Sequence, residues 1–521
     1  MNGADVVAAA LAEAGAHTVF GLPGAHNLAL WPACEAARVR IAGMRTEQGC
    51  ASAADGFARV TGRVGVALVT TGPGAANTVG AVGEAWASRS PVVIVATDIP
   101  TRLRKTGVYR GVLHECTDQA ALFAPITKTT PGSLRSALRD AITPPTRPVY
   151  VGIPSDILTN DAPPERTPPE LIPRTASVAP LVDALAASRR PLVWAGGGTR
   201  DAGDAIDAFA RRIGAPVVTT YQARGLLAPD HPLLVPAPPH EPEVTALIER
   251  ADLAIVAGSD LDQMNTMQWR LPLPERRVAV NIDGADAAKN YPMTAVVESD
   301  ARVLELTANE LEPRETWAGD LGALGTAIRA RLAADPATRD AVTFLESTEA
   351  ALPPDVAVFA DMCIAGYWLA GHFRVETRRG LHYPMGWGTL GFAFPAAIGA
   401  STVRPTVAVA GDGGALFALG ELSALAELGT PCTLVVVDDC GYGMLRYGYT
   451  TTAANDLPPV DYAAIARAFG IASASIDGVG SEYAQALARA VASRVPWLLH
   501  VRARLHPPAT TTPFWPMKST T

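Results

Sequence analysis

Two glycine turns that each carry an aspartate constrain this chain more than any other feature of its sequence. An apolar run at 406–410 leads into Gly411-Asp412-Gly413-Gly414, and a second apolar run leads into Asp438-Asp439-Cys440-Gly441, with Asp439 standing 27 residues after Asp412. This pattern of strand, turn, helix and strand predicts two neighbouring parallel strands whose carboxyl ends bring the aspartates together. Mg²⁺ prefers oxygen ligands and completes its shell with phosphates and water, and glycine turns that open helices let backbone amides approach phosphate oxygens. The pattern therefore predicts a Mg²⁺ site that holds a diphosphate; the alternative is an ordinary strand-to-helix turn of an α/β domain.

The paired turns resemble the thiamine diphosphate motif of the acetolactate synthase, pyruvate decarboxylase and benzoylformate decarboxylase superfamily. The resemblance implies that Asp412 and Asp439 bind Mg²⁺ through their side chains and that Gly441 binds it through its backbone carbonyl. It also implies that the cofactor lies against both turns, which gives these binding residues: Gly411, Asp412, Gly413, Gly414, Asp439, Gly441, Tyr442, Gly443 and Met444.

Asp439 departs from the superfamily pattern, which has asparagine at this position. A second carboxylate beside a diphosphate adds negative charge, so it weakens cofactor binding unless a nearby cation or a raised Asp439 pKa compensates. We therefore expect the Asp439→Asn variant to keep or improve cofactor affinity.

The segment around Glu47 resembles the place where the superfamily carries the glutamate that activates the cofactor. The resemblance implies that Glu47 hydrogen-bonds the pyrimidine ring, favours its imino tautomer and so promotes loss of the thiazolium C2 proton. A buried-type strand at 64–70 leads into a Gly-Pro-Gly turn that the superfamily packs close to the cofactor, which adds Gly72, Pro73 and Asn77 as cofactor-binding candidates. The alternative for Glu47 is a solvated carboxylate at a helix start.

Four further candidate residues follow from the same resemblance. The segment 387–392 is similar to the one that bends the cofactor, so that Gly388 offers its carbonyl to the pyrimidine amino group and Leu390 separates the two rings. Leu390 as an ordinary core residue is the alternative. His26 and His114 stand where relatives place pocket residues, and histidines are natural proton carriers near pH 7. We count both as catalytic candidates, with a satisfied loop histidine as the alternative for each.

The length of 521 residues favours three domains, since about 150 residues per domain is the usual prior. The predicted fold class is α/β with three doubly wound parallel sheets, which agrees with the superfamily. We place an N-terminal pyrimidine-binding domain at 1–160, a linker at 161–177, a central Rossmann-like domain at 178–312, a second linker at 313–350 and a C-terminal diphosphate-binding domain at 351–521. Some relatives bind FAD in the central domain, but Gly196-Gly197-Gly198 lacks the full dinucleotide fingerprint, so FAD is possible and not expected.

Charge and hydropathy exclude several partners. A net charge of −8 argues against nucleic acid. No apolar run reaches the roughly 18 to 20 residues of a membrane span, and the N-terminus lacks the basic start of a secretory signal, so we predict a cytoplasmic protein that does not bind membranes. The superfamily builds each active site between two subunits, which implies a homodimer or homotetramer.

The sequence thus predicts a thiamine diphosphate- and Mg²⁺-dependent lyase or carboligase that decarboxylates a 2-oxo acid through a carbanion or enamine intermediate. One alternative is an acetolactate synthase that condenses two 2-oxo acids. A second is a cofactor-binding protein that has lost turnover, which Asp439 makes conceivable. A third, a Rossmann dehydrogenase, depends only on the general α/β pattern and leaves the 27-residue spacing unexplained.

Overall fold

The computed structural model describes residues 1–128, 132–162, 177–447 and 453–511, and these residues contain three parallel sheets. The first sheet has the order β2-β1-β3-β4-β5. Its strands are β1 Thr18–Gly21, β2 Arg40–Gly43, β3 Gly65–Val69, β4 Val92–Asp98 and β5 Val149–Pro154. The helices of this part are α1 Gly3–Glu13, α2 Leu30–Ala36, α3 Glu47–Thr61, α4 Pro73–Ala76, α5 Val79–Ala87 and α6 Leu134–Ile142.

The second sheet lies in the middle of the chain and has the order β10-β9-β8-β6-β7. Its strands are β6 Pro191–Ala195, β7 Val217–Thr219, β8 Leu253–Ala257, β9 Arg277–Asn281 and β10 Ala295–Glu298. The helices are α7 Ala179–Ala186, α8 Gly203–Ile213, α9 Pro242–Glu249, α10 Gly284–Ala288 and α11 Val303–Asn309. The segment predicted as the second linker contains α12 Leu321–Ala334 and α13 Arg339–Ala351. Most of the first predicted linker lies outside the described residues.

The third sheet has the order β12-β11-β13-β14-β16-β15. Its strands are β11 Ala357–Ala360, β12 Leu381–His382, β13 Thr406–Gly411, β14 Cys432–Asp438, β15 Ala472–Asp477 and β16 Trp497–Arg502. The helices are α14 Ile364–His372, α15 Ala393–Ser401, α16 Asp412–Ala415, α17 Glu421–Leu428, α18 Gly443–Arg446, α19 Tyr462–Ala468 and α20 Ser481–Ala492.

The strands form because continuous apolar runs are buried on both faces of a parallel sheet. Every residue of β3, β4 and β14 is buried, for example, and all three strands pair in parallel with their neighbours. The predicted fold class is confirmed. Within the described ranges, every helix falls short of the length and apolarity that a bilayer span requires.

Helices α3 and α15 join the first and third parts of the chain at very close range. A Cβ atom on Gly56 of α3 would lie 1.9 Å from the carbonyl oxygen of Ala396 in α15, and a Cβ on Gly399 would lie 2.0 Å from the carbonyl oxygen of Ala53. Only glycine permits this approach of one backbone to the other. The two helices therefore form a close backbone contact between the first and third parts of the chain.

Candidate active site

A cavity of about 380 Å³ lies at the carboxyl ends of the strands of the third sheet. Crevices outside these strand ends are the usual ligand sites of open α/β sheets. Eleven residues predicted from the sequence line it: Gly388, Leu390, Gly411, Asp412, Gly413, Gly414, Asp439, Gly441, Tyr442, Gly443 and Met444. The structure thus brings together every candidate of the C-terminal region.

The two turns are joined through Asp412, the first residue of α16. Its Oδ2 accepts a hydrogen bond of 2.7 Å from the Gly441 amide, and its carbonyl accepts one of 3.1 Å from the Tyr462 hydroxyl. Burial raises the pKa of Asp412 to about 7. In the described part of the chain, no group of three or more His, Cys, Asp or Glu side chains is arranged to hold a metal. Two carboxylates, a backbone carbonyl and cofactor phosphates would form the oxygen-only shell that Mg²⁺ prefers, so the donor chemistry fits this ion.

A cation stands beside the unusual Asp439. Arg446 Nη1 lies 3.2 Å from the Asp439 carboxylate and donates to the Asp439 carbonyl at 3.1 Å. Nη2 of Arg446 donates to the Cys440 carbonyl at 2.7 Å and to Asp456 at 2.8 Å. Burial raises the pKa of Asp439, and the Arg446 charge opposes that rise. A Cβ on Gly441 would lie 2.2 Å from Nη2, so the guanidinium reaches this turn because residue 441 is glycine.

The loop with Gly388 and Leu390 is held at both ends by buried carboxylates that the sequence analysis missed. Gly388 has φ +76°, in the left-handed region that glycine adopts freely, and its amide donates to Glu84 Oε2 at 3.1 Å. The Gly391 amide donates to Asp361 Oδ2 at 2.8 Å. Burial raises the pKa of Asp361 to about 7. No local sequence signal marks either carboxylate.

A further missed segment lines the cavity from the start of α14. It comprises Met362, Cys363, Ile364 and Ala365. Cys363 caps the helix, since its Sγ accepts from the Gly366 amide at 3.3 Å. The amino end of a helix carries positive partial charge and unpaired amides, which suits an anionic ligand. The signal in the sequence was the end of the apolar run that forms β11, directly before a helix start.

The candidates of the N-terminal region gather at the carboxyl edge of the first sheet. Glu47 begins α3, whose N-cap Thr46 accepts from the Gly49 amide at 2.9 Å. Glu47 Oε2 accepts a hydrogen bond of 3.1 Å from Asn77 Nδ2. Gly72 has φ +64° and precedes α4, which begins at Pro73. Its amide donates to Gln119 Oε1 at 2.7 Å.

His26 and His114 contact each other at this edge, with ring centroids 5.5 Å apart and an interplanar angle of 85°. His26 Nδ1 lies 2.8 Å from the Thr71 hydroxyl, which donates to the Thr97 hydroxyl at 2.9 Å. Thr71 therefore accepts from Nδ1–H, and this leaves Nε2 of the neutral ring as an acceptor. Burial, followed by the neighbouring His114, lowers the pKa of His26.

The two groups of candidates form separate half-sites in one chain. The described lining of the 380 Å³ cavity includes the C-terminal candidates and neither Glu47, His26 nor His114. Large apolar side chains are exposed next to each half: Leu113 is 75% exposed beside His114, and Trp387 is 53% exposed beside Gly388. Each half-site therefore has an exposed apolar side chain beside it.

The glycine triplet of the central sheet has a packing role. A Cβ on Gly196 would lie 2.4 Å from the carbonyl oxygen of Gly258, and one on Gly198 would lie 2.9 Å from the Gly258 Cα. Contact between two backbone loops therefore accounts for these glycines.

Three family profiles match the chain in the order of its sheets. The thiamine pyrophosphate enzyme N-terminal TPP binding domain matches residues 1–122, the central domain matches 178–310, and the C-terminal TPP binding domain matches 361–501. The chain belongs to the thiamine pyrophosphate enzyme family. Its sequence-based assignment to this superfamily and to thiamine diphosphate-dependent enzymes is confirmed.

Individual relatives cover nearly the whole chain. A probable 2-ketoarginine decarboxylase of Pseudomonas aeruginosa is 33% identical over 89% of this chain and 87% of its own length. A probable acetolactate synthase large subunit of Methanocaldococcus jannaschii is 27% identical over 96% of this chain and 92% of its own. The fold matches the thiamine diphosphate-dependent 4-hydroxybenzoylformate decarboxylase of Rhodococcus jostii with a TM-score of 0.82 and 23% identity, over 97% of this chain and 99% of that one.

Proposed function

We propose that this protein is a thiamine diphosphate- and Mg²⁺-dependent lyase or carboligase that acts on a 2-oxo acid. The observation that carries the proposal is the meeting of Asp412, Asp439 and Gly441 with the Gly388 loop around one cavity. The relatives support the reaction class, because a probable 2-ketoarginine decarboxylase and a probable acetolactate synthase large subunit both match along most of the chain.

The residues would divide the work between the two half-sites. Asp412, Asp439 and the Gly441 carbonyl would hold Mg²⁺, and the amino end of α14 would face the diphosphate. When bound, thiamine diphosphate supplies the electron sink for cleavage beside the 2-oxo group. Leu390 would keep the bound cofactor bent, and Gly388 would accept from its amino group.

The residues of the N-terminal half-site would carry out the proton transfers. Glu47 would share a proton with the pyrimidine ring, and Asn77 would orient its carboxylate through the 3.1 Å hydrogen bond. His26 would take up or deliver a proton at Nε2, because Thr71 fixes Nδ1 as the donor. His114 contacts the His26 ring and would act beside it.

The separation of the half-sites supports a homodimer or homotetramer with active sites between subunits. Glu47 of one subunit would complete the cavity of its partner, and exposed Leu113 and Trp387 would become buried there. A cytoplasmic location remains a prediction from the sequence.

The decisive experiment incubates the purified protein with thiamine diphosphate, Mg²⁺ and a panel of 2-oxo acids that includes 2-ketoarginine, pyruvate and an aryl glyoxylate. CO₂ release and product identification separate aldehyde formation from carbon-carbon ligation. Acetolactate formed from pyruvate would favour the synthase alternative. Cofactor binding without CO₂ release across the panel would favour a protein that has lost turnover.

A Glu47→Gln variant tests the catalytic assignment. We expect turnover to fall at least 100-fold, since acid-base groups contribute about 10²- to 10⁴-fold. Glu35→Gln, which changes an exposed carboxylate on α2, serves as the matched control. Undiminished turnover in Glu47→Gln would remove Glu47 from the mechanism.

A further inference from the structure

Glu84 is a buried carboxylate that the proposed mechanism does not use. Its side chain is 0% exposed in α5, a cost that proteins rarely accept for a charge without several partners. Oε1 accepts from Arg59 Nη2 at 3.2 Å and from the Ser88 hydroxyl at 2.9 Å. Oε2 accepts from the amides of Gly388 at 3.1 Å and Thr389 at 3.5 Å. Glu84 therefore joins α5 to the loop that lines the cofactor cavity.

The hydrogen bonds to Glu84 set the direction of the Gly388 carbonyl. This carbonyl and the Thr389 amide belong to one planar trans peptide, in which C=O and N–H point in opposite directions. A carboxylate that attracts the Thr389 N–H consequently turns the Gly388 oxygen away from α5. Gly388 adopts a left-handed φ of +76°, and since glycine has few steric limits of its own, the hydrogen bonds to Glu84 restrain this peptide where a side chain does not.

The same helix also supports the loop by packing. A Cβ on Gly83 would lie 2.5 Å from the Trp387 ring. The tryptophan can therefore pack directly on α5 because residue 83 has no side chain. A Cβ on Gly386 would lie 2.6 Å from the Ala87 Cβ. The loop thus lies directly on one face of α5, with Glu84 at its centre.

Arg59 extends this network into α3. Its guanidinium is bound at two points by Asp55, at 2.9 and 2.7 Å, and donates to the Tyr383 carbonyl at 3.2 Å. It also lies over the Phe392 ring at 4.4 Å. Arg59 is 1% exposed, and its bidentate pair with Asp55 holds it in one orientation. The position of Glu84 is therefore fixed by a rigid helix rather than by solvent-exposed side chains.

We propose that Glu84 is a positioning residue of the cofactor site, which aims the Gly388 carbonyl and ties its loop to α3. This inference rests on the proposed role of Gly388 toward the aminopyrimidine of the cofactor. Glutamine at residue 84 would keep the shape of the side chain, but its NH₂ group would face either the loop amides or Arg59, which are all donors. One set of hydrogen bonds would be lost, and the loop would lose its fixed orientation.

The test measures cofactor activation directly. The Glu84→Gln enzyme is saturated with thiamine diphosphate and Mg²⁺, and the rate of hydrogen-deuterium exchange at the thiazolium C2 is followed by quenched-flow NMR without any 2-oxo acid. We expect this rate to fall about 10- to 100-fold, since small displacements of catalytic groups cost that much. We expect the thermal midpoint of the apoprotein to stay close to that of wild type.

Two further variants complete the design. Asp204→Asn removes an exposed ion pair with Arg378 at another junction between parts of the chain and should leave exchange unchanged. Glu84→Asp keeps the charge beside Arg59 and serves if the glutamine variant does not fold; its shorter side chain should also slow exchange. Exchange within twofold of wild type in a folded Glu84 variant overturns the inference.

The outcomes for the proposed function are separate. A wild-type protein that shows no saturable binding of thiamine diphosphate, or a Glu47→Gln variant with wild-type C2 exchange, refutes the proposed function whatever the Glu84 variants do. If C2 exchange slows in Glu47→Gln, as the proposed function expects, but stays at the wild-type rate in the Glu84 variants, only the positioning role of Glu84 is refuted.

Discussion

The pair formed by Arg446 and Asp439 gives a sharp test of the proposed metal site. Removal of the cation in Arg446→Met leaves the Asp439 carboxylate uncompensated beside an anionic cofactor. We expect this variant to bind thiamine diphosphate more weakly at saturating Mg²⁺. Asp439→Asn, which instead removes the negative charge, should bind the cofactor as well as wild type or better.

The size of the effect follows from the geometry. The two side chains are 3.2 Å apart and only 15% and 11% exposed, so solvent screens the pair weakly. Hydrogen bonds to charged groups contribute about 1.5 to 3 kcal/mol, and only the part felt when the cofactor is bound changes its affinity, so about 10- to 150-fold is the upper limit of the effect. The double variant restores the charge balance of the wild-type pair, and we expect its affinity to lie within about threefold of wild type.

The assay is a titration of each apoprotein with thiamine diphosphate, followed by intrinsic tryptophan fluorescence at fixed, saturating Mg²⁺. Arg467→Met removes an arginine that is 58% exposed in the same part of the chain and controls for the change in net charge. The Arg446→Met change could lower the affinity for thiamine diphosphate by the same factor in the wild-type protein and in Asp439→Asn. The two side chains would then not be coupled. That result would refute charge compensation as the reason that aspartate is tolerated here.

Three other outcomes follow from the structure. Gly56→Ala should abolish or severely destabilise folding, as judged by the yield and thermal midpoint of the purified protein, because its Cβ would lie 1.9 Å from the Ala396 carbonyl oxygen. Leu390→Ala should slow C2 exchange about tenfold or more at saturating cofactor, because the bent conformation would lose its apolar support. Burial lowers the pKa of His240 to about 4, so the unfolded chain, with a histidine pKa near 6.5, binds protons first as the pH falls. The free energy of unfolding, measured with denaturant, should therefore fall by about 2 kcal/mol between about pH 7 and pH 5 through His240 alone. The His240→Gln variant should lack this contribution to the pH dependence.

The fold could be predicted from the sequence because parallel strands are continuous apolar runs. The buried-type run at 64–70 contains β3, and the run at 406–410 before Asp412 became β13. The topology of the sheet then explains how the C-terminal half-site is assembled. The carboxyl ends of parallel strands meet at one edge, so residues on different turns reach one cavity once the strands are known.

The supporting residues could not be predicted, because their partners are distant in sequence. Glu84 stands 304 residues before Gly388 and occupies a helix whose other residues give no sign of a binding role. Asp361 meets the Gly391 amide only after β11 and the cavity loop are placed side by side. Arg446 is close to Asp439 in sequence, yet its contact depends on the tight turn at Gly441 and on Asp456 across the loop.

Helix α3 carries residues that belong to both half-sites of the chain, so its position affects both. Its first residue, Glu47, faces the partner's cavity in the proposed dimer, whereas Arg59, three turns further on, holds the Gly388 loop of its own cavity through Glu84. The contact of Gly56 with α15 prevents the helix from sliding along the third sheet without a backbone clash. Helix α3 therefore connects the Gly388 loop of one proposed active site to the glutamate of the other through packed side chains and hydrogen bonds. The buried charges are stable there because each carboxylate is paired with Arg59, and removal of one partner would leave the others uncompensated in a dry interface.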